Sequence, residues 1–432
     1  MTAVGEAADK DEIAPVPVAD KTIASWREAI QLASAEDVSY SISILEVERS
    51  RGIERQTLAG TLPQLDAQGV LTFNLLRQDV ASVDFTTGER TTTTVPSSPT
   101  ANLSVSLRQP LIAPRVWYAI GTAEKQTELA RTATKDNKRV LVAAVADAIV
   151  TVVTAERAAE VNRVGVKASL DRLKLQKKRR ELGAGSDLDI IRFRQDVVAA
   201  RGTVIQGDES LRQARERLGL ALGSPLQYGV PPDISINDIE STLSRICQKG
   251  DLENRADILA LRQQKAISER AVTDADLRYA PTADLFSTFT YSSEQIIGDS
   301  HASWNIQGVL TVPIWDGGEK YGARRSAKAV VQQSEERIEG AMRSAKTELR
   351  QADRGVVVAN ENLAIATSNR DLAKETDRLV QQSFQDGGEV TSFDLVDAAR
   401  RLREAELSLT VRELELVRAK ISAMLANADC KD

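Results

Sequence analysis

Aromatic residues make up only 4% of this 432-residue sequence, and histidine occurs once. So few rings exclude a thick, aromatic-rich globular interior. A lone His301 excludes a zinc site or a histidine-based triad, because each needs companions it lacks. Cysteine is limited to Cys247 and Cys430, with no metal-ligand spacing. Basic residues cluster only in the short run Lys177–Arg180, and the net charge of -6 argues against a nucleic-acid partner. Gly183-Ala184-Gly185 lacks the third glycine, the preceding strand and the lysine of a nucleotide loop. The sequence therefore offers no enzyme, no cofactor and no metal site.

A long apolar run is also missing. The best candidate, Val140 to Ala155, falls short of the roughly 20 residues a bilayer-spanning helix needs, and Asp147 sits inside it. It reads as a buried helical segment, so any membrane crossing must use strands. Residues 1–20 carry neither a basic start nor an apolar core, hence no signal peptide. That start suits a cytosolic protein or a mature form with an added Met, and the rest of the chain favours the second.

What is present is a duplication. Pro110 and Pro313 are 203 positions apart, and so are Tyr118 and Tyr321, Leu218 and Ile421, and Leu222 and Leu425. Upstream the offset grows to 218, between Pro63 and Pro281, which puts a longer loop into the first half at about Thr86–Thr100. Each half reads as a helix (about Ser34–Leu62 and Leu252–Tyr279), two alternating segments, a very long helix, a glycine break and a shorter helix.

The alternation is of period two. Leu103, Val105 and Leu107 oppose Asn102, Ser104, Ser106 and Arg108, while Trp304, Ile306, Leu310 and Val312 oppose Asn305, Gln307 and Thr311. Leu71, Phe73 and Leu75 begin a third such strand, and Leu285–Tyr291 holds a fourth. Alternating strands of about 10 residues suit a membrane barrel or a soluble sheet with one wet face, and by themselves do not choose.

The long helices favour the barrel. No proline interrupts Gly318–Phe384, a rod of roughly 100 Å. Ile338, Met342, Ala345, Leu349, Ala352, Val356, Ala359, Leu363 and Ala366 step by four and three along it, a coiled-coil seam. The first-half equivalent runs from about Arg115 to Leu182. Four strands cannot close a barrel, and open edges are not tolerated in lipid, so several copies must contribute to one sheet. A soluble cytosolic coiled-coil scaffold is the alternative, and it leaves the strands and the duplication unexplained.

Over Trp26–Ala426 the sequence resembles the TolC-like outer-membrane efflux and secretion family. The resemblance rests on Gln109-Pro110-Leu111, on Val312-Pro313-Ile314 followed by Asp316-Gly317-Gly318, and on the tips Leu182-Gly183-Ala184-Gly185-Ser186-Asp187-Leu188-Asp189 and Gly388-Glu389-Val390-Thr391-Ser392-Phe393-Asp394-Leu395-Val396-Asp397-Ala398. It implies a mostly α fold with a small β part, assembled as a trimer with a twelve-stranded β-barrel in the outer membrane and a long α-helical barrel in the periplasm. The expected organisation is a flexible segment over 1–25, a first repeat over 26–223, a linker over 224–250, a second repeat over 251–427 and a tail over 428–432. Barrel strands are expected near 67–81, 100–110, 283–293 and 303–313, with helical hairpins near 115–222 and 317–426. The linker and C-terminus would form an equatorial region, where a disulfide between Cys247 and Cys430 is a further expectation.

The family also implies an acidic constriction at the periplasmic end. Asp394 and Asp397 match its second-repeat positions and Asp189 its first-repeat position, with crowding in a trimer expected to raise some of their pKa values. The competing reading of these residues is first-turn helix chemistry. Arg192, at the place equivalent to Asp397, and Phe384, just before the tip, are expected gate contacts. Gly183, Ala184, Gly185, Ser186, Gly387, Gly388 and Glu389 are the expected tip contacts with a periplasmic adaptor, and through it with an inner-membrane transporter of the RND or ABC type. The implied function is a passive, gated export conduit in a tripartite pump or type I secretion system, in contact with outer-membrane lipid.

Overall fold

The computed structural model describes residues 13–73, 75, 78–83, 88, 90–95, 99–183, 186–231, 247–293, 300–386, 389–426 and 428–430. In chain order these form β1 (Lys21–Thr22), α1 (Trp26–Glu36), α2 (Val38–Ala59), β2 (Gln64–Thr72), β3 (Gln78–Val83), β4 (Arg90–Val95), β5 (Thr100–Ile112), α3 (Pro114–Glu181) and α4 (Asp187–Ala221). There follow β6 (Tyr228–Gly229), β7 (Cys247–Lys249), α5 (Ala256–Leu277), β8 (Thr282–Ser292), β9 (Ala302–Thr311), α6 (Glu319–Gln385), α7 (Ser392–Leu425) and β10 (Ala428–Cys430). The chain divides into two units: residues 47–129 with 262–336, and residues 1–46 with 130–261 and 337–432.

The first of these units is built on one antiparallel sheet in the order β2-β5-β8-β9. Its register sorts the alternating residues into two faces. Ala67, Val105, Phe289 and Trp304 form one cross-strand row, and Asp66, Ser106, Thr288 and Asn305 form the next. One face is therefore apolar from edge to edge and the other polar. Pro110 has no N–H to give the ladder, and the β5–β8 register shifts between Pro110 and Ile112, where a bulge accommodates it. Across the polar face Arg108 lies 3.2 Å from Asp284.

Two expectations change here. The strand expected over 67–81 is β2, which starts at Gln64 and stops at Thr72, while Gln78–Val83 pairs instead with Arg90–Val95. Part of the longer first-half loop is thus a second hairpin, and its Thr91-Thr92-Thr93-Thr94 run is β-branched throughout, a composition that favours strand. The helix expected over Ser34–Leu62 is two helices. Asp37, extended at ψ 123, closes α1 by donating its N–H to Ala33 O at 2.8 Å. Its carboxylate then accepts from Tyr40 N at 2.6 Å and starts α2.

The second unit is helical and packs around two clusters. In the larger, Val142, Val145, Ala146, Ile149 and Val152 of α3 meet Trp26, Ala29 and Ala33 of α1, Leu218 and Leu222 of the α4 end, and Leu414, Val417 and Ile421 of α7. The apolar run around Val140–Ala155 is accordingly buried helix, and no helix among the described residues is long and apolar enough to cross a membrane. The smaller cluster joins Val166, Leu170 and Leu173 of α3 to Phe193, Val197 and Ala200 of α4 and Leu395 of α7. Along α6 the seam is expressed, with Ala345, Ala359 and Ala366 buried. Alanine at these steps lets neighbouring helices approach closely.

The ends of this unit differ from a flexible segment and a tail. Residues 13–25 are held in place: Arg163 donates to Ala14 O and Pro15 O at 3.0 and 2.9 Å, Arg215 donates to Pro17 O, and Ile23 is buried. β1 then pairs in parallel with β6. At the other end β10 pairs antiparallel with β7, so the expected tail carries a strand.

Candidate functional site

The helix starts that follow each hairpin break carry Asp189, Asp394 and Asp397, the residues expected at a constriction. At the first break Gly183 has φ +79, a conformation that favours glycine, and it terminates α3. Arg180 and Asp187 bridge the break through two bonds of 2.9 and 3.2 Å. The guanidinium beside Asp187 holds that carboxyl below the usual carboxylate range. Ser186 then caps α4, its hydroxyl accepting from Asp189 N at 3.2 Å.

At the second break Thr391 and Asp394 form a reciprocal capping box. Asp394 accepts from the Thr391 hydroxyl at 2.6 Å and from its N–H at 2.8 Å. Those bonds, the hydroxyl's first, hold its carboxyl below the ordinary value. Asp397 accepts from Arg400 at 2.8 Å and Arg401 at 2.7 Å, and the bond from Arg400 lowers it as well. Within one protomer, then, both carboxyls are depressed; the expected upward shift concerns crowding among copies.

The two tips meet at Ser392, which sequence reasoning missed. Its buried hydroxyl donates to Asp189 and accepts from Arg192 at 3.1 Å. Arg192 lies 3.9 Å from Asp189, so it pairs with the first-repeat carboxylate and not with Asp397. Burial pushes Asp189 up, but hydrogen bonds from Ser392 and Ser186 outweigh it and leave the carboxyl below its usual range. Phe384 packs against the smaller cluster with the Arg179 guanidinium 4.5 Å above its ring. Ala184, Gly185, Gly387 and Gly388 lie outside the described residues. Around the tips Leu182 is 83% exposed, and Leu188 and Phe393 are more than half exposed. Apolar residues at a solvent-facing turn are the signal that could have added Leu188 and Phe393 to the tip contacts.

Behind the tips lies a charged layer that periodicity did not reveal. Arg403 reaches Asp196 at 2.7 Å, and Arg172 stands 3.6 Å from Asp377. These four side chains come from α7, α4, α3 and α6. Burial lowers Arg172 and raises Asp377. Gly165 makes room for the layer, since a Cβ there would stand 2.5 Å from Arg403 Cδ.

The sheet offers the second functional surface. On its apolar face Trp304 is 72% exposed, Leu65 70% and Leu310 67%. Such a contiguous apolar face marks contact with protein or lipid rather than water. Exposed rings stand at both ends of the strands: Phe73 and Tyr291 at one end, Trp315 and Tyr321 at the other. Below the strands Asp316 accepts from Gly318 N and Lys320 N, both at 2.9 Å, across a turn in which Gly317 and Gly318 have φ +68 and +93. The Asp-Gly-Gly piece is thus the local device that converts strand into helix. His301 is exposed beside β9, its Nδ1 3.1 Å from Ser292 O.

Residues 29–224 match the profile of a family described as outer membrane efflux protein. The chain is similar to outer membrane protein OprJ of Pseudomonas aeruginosa, 24% identical over 424 residues that cover 94% of this chain and 83% of that protein. A solved membrane protein from Pseudomonas aeruginosa has the same fold at TM-score 0.75 and 21% identity, covering 97% of this chain and 99% of that one. The CmeC outer membrane channel of Campylobacter jejuni matches at TM-score 0.76 and 13% identity, covering 98% of this chain and 90% of that one.

Proposed function

We propose that this chain, whose residues 29–224 belong to the outer membrane efflux protein family, is the outer-membrane conduit of a tripartite efflux pump or type I secretion system. It performs no catalysis. Three copies associate, and β9 of one protomer pairs with β2 of the next, so that three four-stranded sheets close into one twelve-stranded barrel. The observation that carries this reading is the sheet itself. Its apolar face is exposed on both edge strands, at Leu65 and Leu71 and at Trp304, Ile306 and Leu310, and both edge strands end the hydrogen-bonded order. An open sheet of that kind is stable in lipid only when its edges are paired. Rings at both strand ends suit the two interfaces of the membrane.

In this reading the helical hairpins continue the barrel as a tube, and the tips narrow it. Asp394, Asp397 and Asp189 form the constriction, with Arg192 and Ser392 joining the tips in the closed form. The tip residues, Gly183 to Ser186 and Gly387 to Glu389, with the exposed Leu182, Leu188 and Phe393, receive a periplasmic adaptor that couples the tube to an inner-membrane transporter. Cargo passes without touching a chemical site.

The test is cell fractionation of the full-length chain expressed with a secretion signal. Recovery in the outer-membrane fraction, released only by detergent, supports the conduit. Recovery as a water-soluble protein that needs no detergent contradicts it and leaves the sheet as an ordinary one-sided sheet.

A further inference from the structure

We propose that Cys247 and Cys430 form an intramolecular disulfide that staples the two ends of the second repeat together. The proposal rests on the exported location argued above, because such bonds persist in oxidising compartments. Its ground is the register of a two-stranded sheet in the helical unit. β7 and β10 run antiparallel with Ala428 opposite Lys249, Asp429 opposite Gln248, and Cys430 directly opposite Cys247. Directly opposed residues in such a pair have Cα atoms about 4.5 or 5.5 Å apart, depending on whether they exchange hydrogen bonds. Both spacings fall inside the roughly 4.4–6.8 Å that a disulfide spans. The only two cysteines of the sequence therefore occupy one rung.

The neighbouring contacts fix that rung from both strands. Arg255, eight positions after Cys247, donates to Ala426 O at 2.9 Å, and Arg139 donates to Leu425 O at 3.4 Å. These bonds hold the end of α7 immediately before β10 and tie it to the segment that follows β7. Arg255 is itself fixed by Asp257 at 2.7 Å and Glu348 at 3.0 Å. Yet the ladder they support is three residues long on each strand. Isolated two-stranded ladders are marginal in water. A covalent bond at the outermost rung supplies the tie. The ring it closes holds residues 248–429, which is the whole second repeat.

The chemistry balances by thiol–disulfide exchange. One thiolate attacks the disulfide of an exported protein oxidant and forms a mixed disulfide; the second thiolate displaces it. One S–S bond forms in this chain, both thiol protons leave, and the oxidant departs as a dithiol carrying the two electrons.

The experiment uses the full-length protein expressed with a secretion signal, fractionated, denatured, alkylated without reductant and digested with trypsin. The expected result is a linked pair of Ile246–Lys249 with Ile421–Lys431, two hydrogens lighter than the sum of the separate peptides, which disappears on reduction. Amide protection over β7 and β10 should be lost on reduction, while a Cys247→Ser, Cys430→Ser double variant should show no response to reductant. Two alkylated thiols in protein from the outer-membrane fraction overturn the disulfide and leave the conduit reading intact. If fractionation instead finds the protein in the cytosol, the conduit reading fails separately. The pairing is then decided by treating the folded protein with glutathione disulfide: a linked pair supports it, and two glutathione adducts overturn it.

Discussion

Arg403 of α7 meets Asp196 of α4 at 2.7 Å, in a space kept open by Gly165 of α3. The Asp196 side chain is only 3% exposed. Removing one partner of a buried pair strands the other charge, at a cost of about 3–5 kcal/mol. Arg403→Met alone should lower the stability of the helical unit by about that amount. Arg403→Met with Asp196→Leu should recover most of it, since an apolar pair of similar volume needs no hydration. Denaturant melts of wild type, both single variants and the double variant measure the coupling; strict additivity would remove the pair as a clamp.

Ser392 bonds to both Asp189 and Arg192 of the other hairpin. Ser392→Ala should cost about 1–2 kcal/mol, because it leaves two partly buried polar groups short of a partner. If the tips form the gate, the same variant should raise the open probability in planar bilayers. Ser186→Ala, which removes the α4 cap without cutting the link from Ser392, should cost about 1 kcal/mol. Its conductance should stay closer to wild type.

Asp189, Asp394 and Asp397 all have carboxyls held below their ordinary value. The stability they confer is therefore fully present above the unfolded value of about 3.9 and is lost as pH falls from there through the depressed folded values. Amide exchange over residues 186–192 and 389–400, corrected for intrinsic rate, should be flat from neutral pH down to about 5 and rise below about 4. A rise beginning near pH 6 would instead report carboxyls raised by crowding among copies.

Asp397 is already matched by Arg400 and Arg401, whereas among the described residues Asp394 is bonded within its capping box. Asp394→Asn keeps an oxygen to accept from Thr391 and removes the charge. It should lower cation selectivity and weaken block by multivalent cations. Arg400→Ala with Arg401→Ala should shift selectivity the other way, toward cations. Reversal potentials in a salt gradient read both; unchanged selectivity in all variants would take these residues out of the pore.

Much of this architecture was legible in the sequence because it is written in periodicity. The 203-residue offset, the alternation around Val105 and Trp304, and the seam through Ala345 and Ala359 each report one face of one element. What was not legible depends on contacts between elements. Gln78–Val83 pairs with Arg90–Val95 of the first-half loop, and no local pattern separates it from the strand that ends at Thr72. The two tips meet at Ser392, 203 positions from Asp189, and a serine at a helix start reads locally as a cap. Likewise Arg172, Asp196, Asp377 and Arg403 look like solvated charges along amphipathic helices until four helices are brought together.

The most direct test of the account is the number of chains in the detergent-solubilised particle, counted by native mass spectrometry of full-length protein from the membrane fraction. Closure of four-stranded sheets into one twelve-stranded barrel predicts three copies and no others. A stable monomer or dimer would leave β2 and β9 unpaired in lipid and would contradict the conduit.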